Sequence, residues 1–123
     1  MIHESGEDYL ETILLLYNRN GYVRSIDIAN ELNYTKPSVS RAMSILKNSD
    51  YIVVDKNGHI LLTDKGKHTA EKISERHDLI AKFLINVLGV SEENAYNDSC
   101  RIEHVISEES FQKIKEYLKT TVN

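Results

Sequence analysis

The chain has 123 residues, 41% hydrophobic and 28% charged, with one proline, one cysteine and a formal net charge of −4. That is enough for one or two small domains and too little for a large enzyme fold, and no apolar tract reaches the roughly 18 residues of a membrane span. The acidic opening MIHESGEDYLE is no secretory signal, a lone cysteine forms no internal disulfide and fits a reducing cytoplasm, and the acidic balance argues against a general polyanion binder.

In SGEDYLETILLLYNRNG, apolar residues at Tyr9, Ile13, Leu16 and Tyr17, with Leu10 and Leu14, predict a first helix closed by Asn20-Gly21. SIDIANELN predicts a short second helix capped by Ser25, with Ile28 and Leu32 on one face. YTKPSVSRAMSILKNSD predicts a third, with Thr35 as N-cap and Pro37 in the first turn, where a missing N–H costs nothing. The period then changes. YIVVDKNGHILLT is two β-rich runs around Asn57-Gly58, a strong hairpin signal. A long helix is expected from Asp64 to about Leu88, ended by Gly89. A further helix opens at Ser91, and a last one at Ser107 with Phe111, Ile114, Tyr117 and Leu118 on one side.

Three helices and a hairpin in this order describe a winged helix-turn-helix, the NYT link being short enough for its turn. In the third helix Val39, Ala42, Met43 and Leu46 recur at core spacing. The opposite face carries Ser40, Arg41, Ser44 and Asn48, with Lys36 and Ser38 at its start, and no carboxylate. An acid-free face in an acidic chain is informative, because recognition helices present such residues to base edges in the major groove. The alternative, cations that only solvate a surface, accounts for none of the element order or turn length. The expected DNA-contacting set is Lys36, Pro37, Ser38, Ser40, Arg41, Ser44 and Lys47, with Lys56 at the hairpin tip touching phosphate.

CRIEH, Cys100 to His104, places a thiol, a carboxylate and an imidazole at i, i+3 and i+4 of a helix, where side chains meet. Together they are a transition-metal ligand set of borderline softness. On this motif alone, a buried cysteine beside an exposed Glu-His pair is the commoner outcome. Two further features shift the balance: the carboxylates Asp8 and Glu11, one turn apart off the apolar stripe of the first helix, and His77 in SERHDLIAKFL. Each has a bland reading too, as first-turn acids favoured by the helix dipole and as a surface histidine.

EDYLETI, GYVRSIDIANEL, PSVSRAM, ILLTDKGK, ERHDLIAKFL and, most specifically, YNDSCRIEHVIS resemble the metal-dependent transcriptional repressors typified by the diphtheria toxin repressor and the manganese transport regulator. The resemblance covers nearly the whole chain. It implies a mainly α protein: a winged helix-turn-helix DNA-binding domain at 1–63, followed by an all-helical metal-binding and dimerisation domain at 64–123. Because the sequence ends at Asn123, the SH3-like domain of longer members is expected to be absent, as in the manganese branch. The implied metal ligands are Asp8, Glu11, His77, Cys100, Glu103 and His104. The set is hybrid: Asp8 matches the manganese branch, where iron-responsive members have methionine, and Cys100 matches the iron branch, where manganese regulators have glutamate. Ala81 and Tyr96 stand where the iron branch has further ligands. Thiolate favours softer metals than an all-oxygen set, so the expected effector is Fe2+ or Mn2+, with a lean to Fe2+.

Partners implied are double-stranded palindromic operator DNA and a second copy of the chain, with no membrane and no organic cofactor. The apolar stripe Leu79, Ile80, Phe83, Leu84 and Val87 exceeds what one short chain covers. Metal is expected to clamp the DNA-binding domain to the dimerisation domain. An enzyme using Cys100 and His104 is disfavoured, since no oxyanion-hole loop or glycine-rich turn accompanies them. The competing reading is a winged-helix regulator that answers an organic ligand, or thiol oxidation at Cys100.

Overall fold

The computed structural model describes residues 4–121. The chain divides into two compact units, Met1–Glu71 and Lys72–Asn123. The expected architecture is present: three helices, a hairpin, then three helices.

In the first unit, α1 (Glu4–Asn20), α2 (Ser25–Leu32) and α3 (Lys36–Asn48) precede an antiparallel wing of β1 (Ile52–Val54) and β2 (Ile60–Leu62). Its core gathers Leu10, Ile13 and Leu16 of α1, Ile28 of α2, Val39, Met43 and Leu46 of α3, and Ile52 and Ile60 of the wing. Tyr17, expected on the apolar stripe of α1, is instead 48% exposed. It lies at the edge of the buried stripe, where a phenol can keep its hydroxyl in water. Ser25 does not cap α2. Arg24 occupies the cap position, and Asp27 reaches back to accept from its N–H at 2.9 Å. The turn into α3 begins with Asn33 in the left-handed region (φ 57), which asparagine tolerates. Thr35 then caps α3 by accepting from the Ser38 N–H.

The wing pairs Ile52 with Leu62 and Val54 with Ile60, so its loop is Asp55–His59 and not a two-residue Asn-Gly turn. Only Gly58 takes positive φ there. Asp55 organises the loop. Its carboxylate accepts from the N–H groups of Asn57 (2.8 Å) and His59 (2.9 Å), and its carbonyl from Gly58. The His59 N–H is the main cause that holds the Asp55 carboxyl below its ordinary range. Desolvation opposes it, and the Asn57 N–H and the charges of His59 and Arg24 add to it. A depressed folded-state pKa means that this contribution is complete above the unfolded value of about 3.9 and is lost as pH falls through the lower folded value. The NMR shifts of the Asn57 and His59 amides are expected to titrate with a midpoint below about 3.9. A midpoint at or above that value would count against the loop as described.

Thr63 starts α4 (Asp64–Asn86), accepting from the Gly66 N–H at 3.1 Å and donating its hydroxyl to the Asp50 carbonyl. The first turns of α4 group with the first unit, where Ala70 joins the core. A Cβ on Gly66 would collide with the Tyr51 carbonyl and sit 3.3 Å from Leu62 Cδ2. Alanine normally stabilises a helix interior by about 1 kcal/mol over glycine. Here the backbone has to shift, so Gly66→Ala is expected to destabilise by about 1–3 kcal/mol. Chemical denaturation reads this, and a stabilised variant would show the approach of Tyr51 to be looser.

The second unit comprises the rest of α4, α5 (Glu92–Val105) and α6 (Glu108–Thr121). Ser91 caps α5 by accepting from Asn94, and Ser107 accepts from Ser110 at the start of α6. Ile73, Ile80, Ala95, Phe111 and Leu118 are its buried apolar residues. No helix of the described residues is long and apolar enough to cross a membrane.

Candidate metal centre and nucleic-acid interface

His77, Cys100, Glu103 and His104 all belong to the second unit, His77 on α4 and the others on α5. The residue i+3 from Cys100 is Glu103, which the helix turns inward until it is 1% exposed. Its Oε2 lies 3.1 Å from His77 Nδ1, and its Oε1 lies 3.4 Å from His104 Nε2. Cys100 Sγ is 3.6 Å from the same His77 nitrogen. The carboxylate is thus flanked by two imidazoles, with the thiol beside one of them.

Ser99 completes this cluster and was not expected from the sequence. It is fully buried, donates its hydroxyl to the Tyr96 carbonyl at 3.0 Å, and places Oγ 3.2 Å from His77 Nδ1. With that proton committed, Ser99 and Glu103 both face His77 Nδ1 as acceptors. An Nδ1–H on His77 would donate toward both, as a shared hydrogen bond. The Tyr96 ring stands edge-on to His77, centroids 4.9 Å apart.

Among the described residues, Glu103 Oε1 is buried without a hydrogen-bond partner. Its 3.4 Å approach to His104 is a contact and not a well-formed bond. A buried carboxylate oxygen in this condition is costly unless a cation satisfies it. Two imidazoles, a thiol and that oxygen are a donor set suited to a divalent transition metal. Asp8 and Glu11 lie one turn apart on α1 in the first unit, both half-buried.

On α3, Lys36, Pro37, Ser38, Ser40, Arg41, Ser44 and Lys47 are all exposed, opposite the buried Val39, Met43 and Leu46. Ser38 is partly committed to the helix cap, since its Oγ accepts from the Thr35 hydroxyl at 2.9 Å. Lys56 is exposed at the wing tip. Sequence reasoning missed two residues of the first unit, Ile45 on α3 and Arg24 at the N-cap of α2. Ile45 is 60% exposed on α3. Arg24 brings Nη2 to 3.3 Å from His59 Nε2 at the wing, a pairing across 35 residues that no local pattern announces.

Residues 1–60 match the family model described as the iron dependent repressor, N-terminal DNA binding domain. Residues 63–122 match the one described as the iron dependent repressor, metal binding and dimerisation domain. Between them only residues 61, 62 and 123 are left out.

The chain belongs to the iron-dependent repressor family.

Solved structures agree with the family. The manganese regulator SloR is 29% identical with a TM-score of 0.82, over 93% of this chain and 53% of that one. The IdeR structure of T. acidophilum is 29% identical with a TM-score of 0.78, over 92% and 53%. A hypothetical protein from Sulfolobus solfataricus is 25% identical with a TM-score of 0.74, over 97% and 91%. The chain therefore spans about half the length of SloR and of IdeR.

Proposed function

We propose that this chain is a transcriptional regulator whose binding to operator DNA depends on a divalent metal, and that it acts by binding and not as an enzyme. The observation that carries the reading is the buried Glu103 carboxylate, one oxygen unsatisfied, between His77 and His104. It occurs in a chain whose other unit is a winged helix with an acid-free α3 face.

His77, Cys100, Glu103 and His104 would hold the metal, with Asp8 and Glu11 of α1 supplying further carboxylate. A bound cation supplies the positive charge that these acids lack. Ligands drawn from both units would tie the DNA-binding unit to the dimerisation unit, which is the proposed route from metal to DNA. The matched family description supports a homodimer held by the second unit, as do Leu79, Phe83, Leu84 and Val87, which all stay partly exposed. Fe2+ and Mn2+ are both compatible with the residues. The thiol of Cys100 favours Fe2+ over an all-oxygen site.

The test is operator affinity measured anaerobically with excess Fe2+, excess Mn2+ or chelator. Tighter binding with metal is expected. Equal binding in chelator would overturn metal dependence. A response to peroxide with none to metal would favour a thiol sensor at Cys100.

A further inference from the structure

We propose that Arg76 is a positioning residue for the metal site: its guanidinium fixes the last turn of α5, with Glu103 and His104, against the segment of α4 that carries His77. The role rests on the functional reading above, but the contacts that define it do not.

Helix α5 ends at Val105, and its last carbonyls have no partner within the helix. Arg76 supplies one from α4. Its Nη1 donates to the Glu103 carbonyl at 3.2 Å and to the Ile106 carbonyl at 3.3 Å. Its Nη2 lies 3.4 Å from Glu108 Oε2 at the start of α6, and its guanidinium carbon is 5.4 Å from the Phe111 ring centroid. One planar group thus joins the end of α5, the turn after it and the beginning of α6. The side chain is 15% exposed, and its Nε is buried without a hydrogen-bond partner among the described residues. A cation is held there although one of its donors is unsatisfied, so the two Nη groups carry the interaction.

The position matters because of what adjoins it. Arg76 and His77 are consecutive on α4, and Glu103 is bonded to both: its carbonyl to Arg76, its carboxylate to His77. The main chain of Glu103 is therefore pinned independently of its carboxylate. That carboxylate has an oxygen unsatisfied, and a movable α5 end would let it swing toward water. Pinning the backbone keeps it in place before any cation arrives. Lysine cannot copy this, since a single ammonium lacks the planar fork that reaches two carbonyls and a carboxylate while stacking on a ring.

The experiment compares wild type, Arg76→Ala, Arg76→Lys and Glu108→Gln in the full chain. Manganese ion affinity is measured by titration calorimetry, and backbone amide exchange in the metal-free state. Arg76→Ala is expected to weaken manganese binding by about 10–100-fold, the usual range for residues that orient ligands. Arg76→Lys should fall between it and wild type. Glu108→Gln removes one charge but leaves both carbonyl bonds, so it should change affinity least. Metal-free exchange should accelerate in the last turn of α5 while the buried core of the first unit stays protected. Manganese affinity within about twofold of wild type in Arg76→Ala overturns the role, as does exchange that rises uniformly through α4, α5 and α6. If Arg76→Ala does not fold, Arg76→Lys decides on the same two measurements. A wild type that binds neither manganese nor, anaerobically, ferrous ion overturns the functional reading instead, and so separates the two failures; if only ferrous ion binds, the same variants are compared with it.

Discussion

Glu103→Gln is expected to abolish the gain in operator affinity that metal confers, while the metal-free protein melts no lower than wild type. The two halves have one cause. Glu103 is 1% exposed, and its Oε1 lacks a hydrogen bond among the described residues. An unsatisfied buried acceptor costs about 1–3 kcal/mol, more if charged. Glutamine has the same shape. Its amide oxygen can still accept from His77 Nδ1, and its amide nitrogen can donate toward His104 Nε2. The substitution therefore relieves the metal-free fold and removes the anionic oxygen a cation needs. Coupling between metal and DNA is ordinarily about 1–3 kcal/mol, about 5–150-fold in affinity, and all of it should vanish. Binding isotherms with metal and with chelator measure the coupling, and thermal melts in chelator measure the fold. A variant that keeps its metal response within about twofold would show that Glu103 is not a ligand.

The candidate site was partly legible because a helix translates spacing into direction. Cys100, Glu103 and His104 at i, i+3 and i+4 had to share a face, and Glu103 proves the most buried of them. Ser99 was missed because a small hydroxyl matches no ligand pattern; its place is set by the Tyr96 carbonyl one turn back. Arg76 was missed for a different reason. Its main partners are the main-chain carbonyls of Glu103 and Ile106, and carbonyls are the same in every sequence. Its pairing with Glu108 spans 32 residues.

In the fold, apolar spacing found α1, α3 and α6, and the start of α5 was legible from its Ser91 cap, since the residues it buries are Ala95, Ser99 and Glu103. Local chemistry decides the details. The hairpin around Asn57-Gly58 is present, but Asp55 captures two amides and builds a five-residue loop, Asp55–His59, with only Gly58 in the left-handed region. Ser25 was the better intrinsic cap, but Asp27 serves the N–H of Arg24 from inside the helix, which moves the boundary by one residue.

Arg41→Ala should lower operator affinity by about 1–3 kcal/mol, the range for losing a side chain that reads a base edge. Arg41 is exposed on α3, opposite Val39, Met43 and Leu46, and no acid lies within that helix to neutralise it. An exposed helical position away from caps changes stability by at most about 0.5 kcal/mol, so lost DNA binding would not report unfolding. Two further measurements tell base reading from phosphate contact. Arg41→Lys keeps the charge but lacks the fork that bonds guanine at two points. A base reader should therefore lose affinity in this variant and discriminate less between operator and scrambled DNA. A phosphate contact should instead survive as lysine, and its removal should weaken all sequences alike and reduce the salt slope by about one. Lys47, near the end of α3, is expected to behave in the second way. If Arg41→Ala binds operator like wild type at matched salt and saturating metal, the reading face of α3 has been placed wrongly.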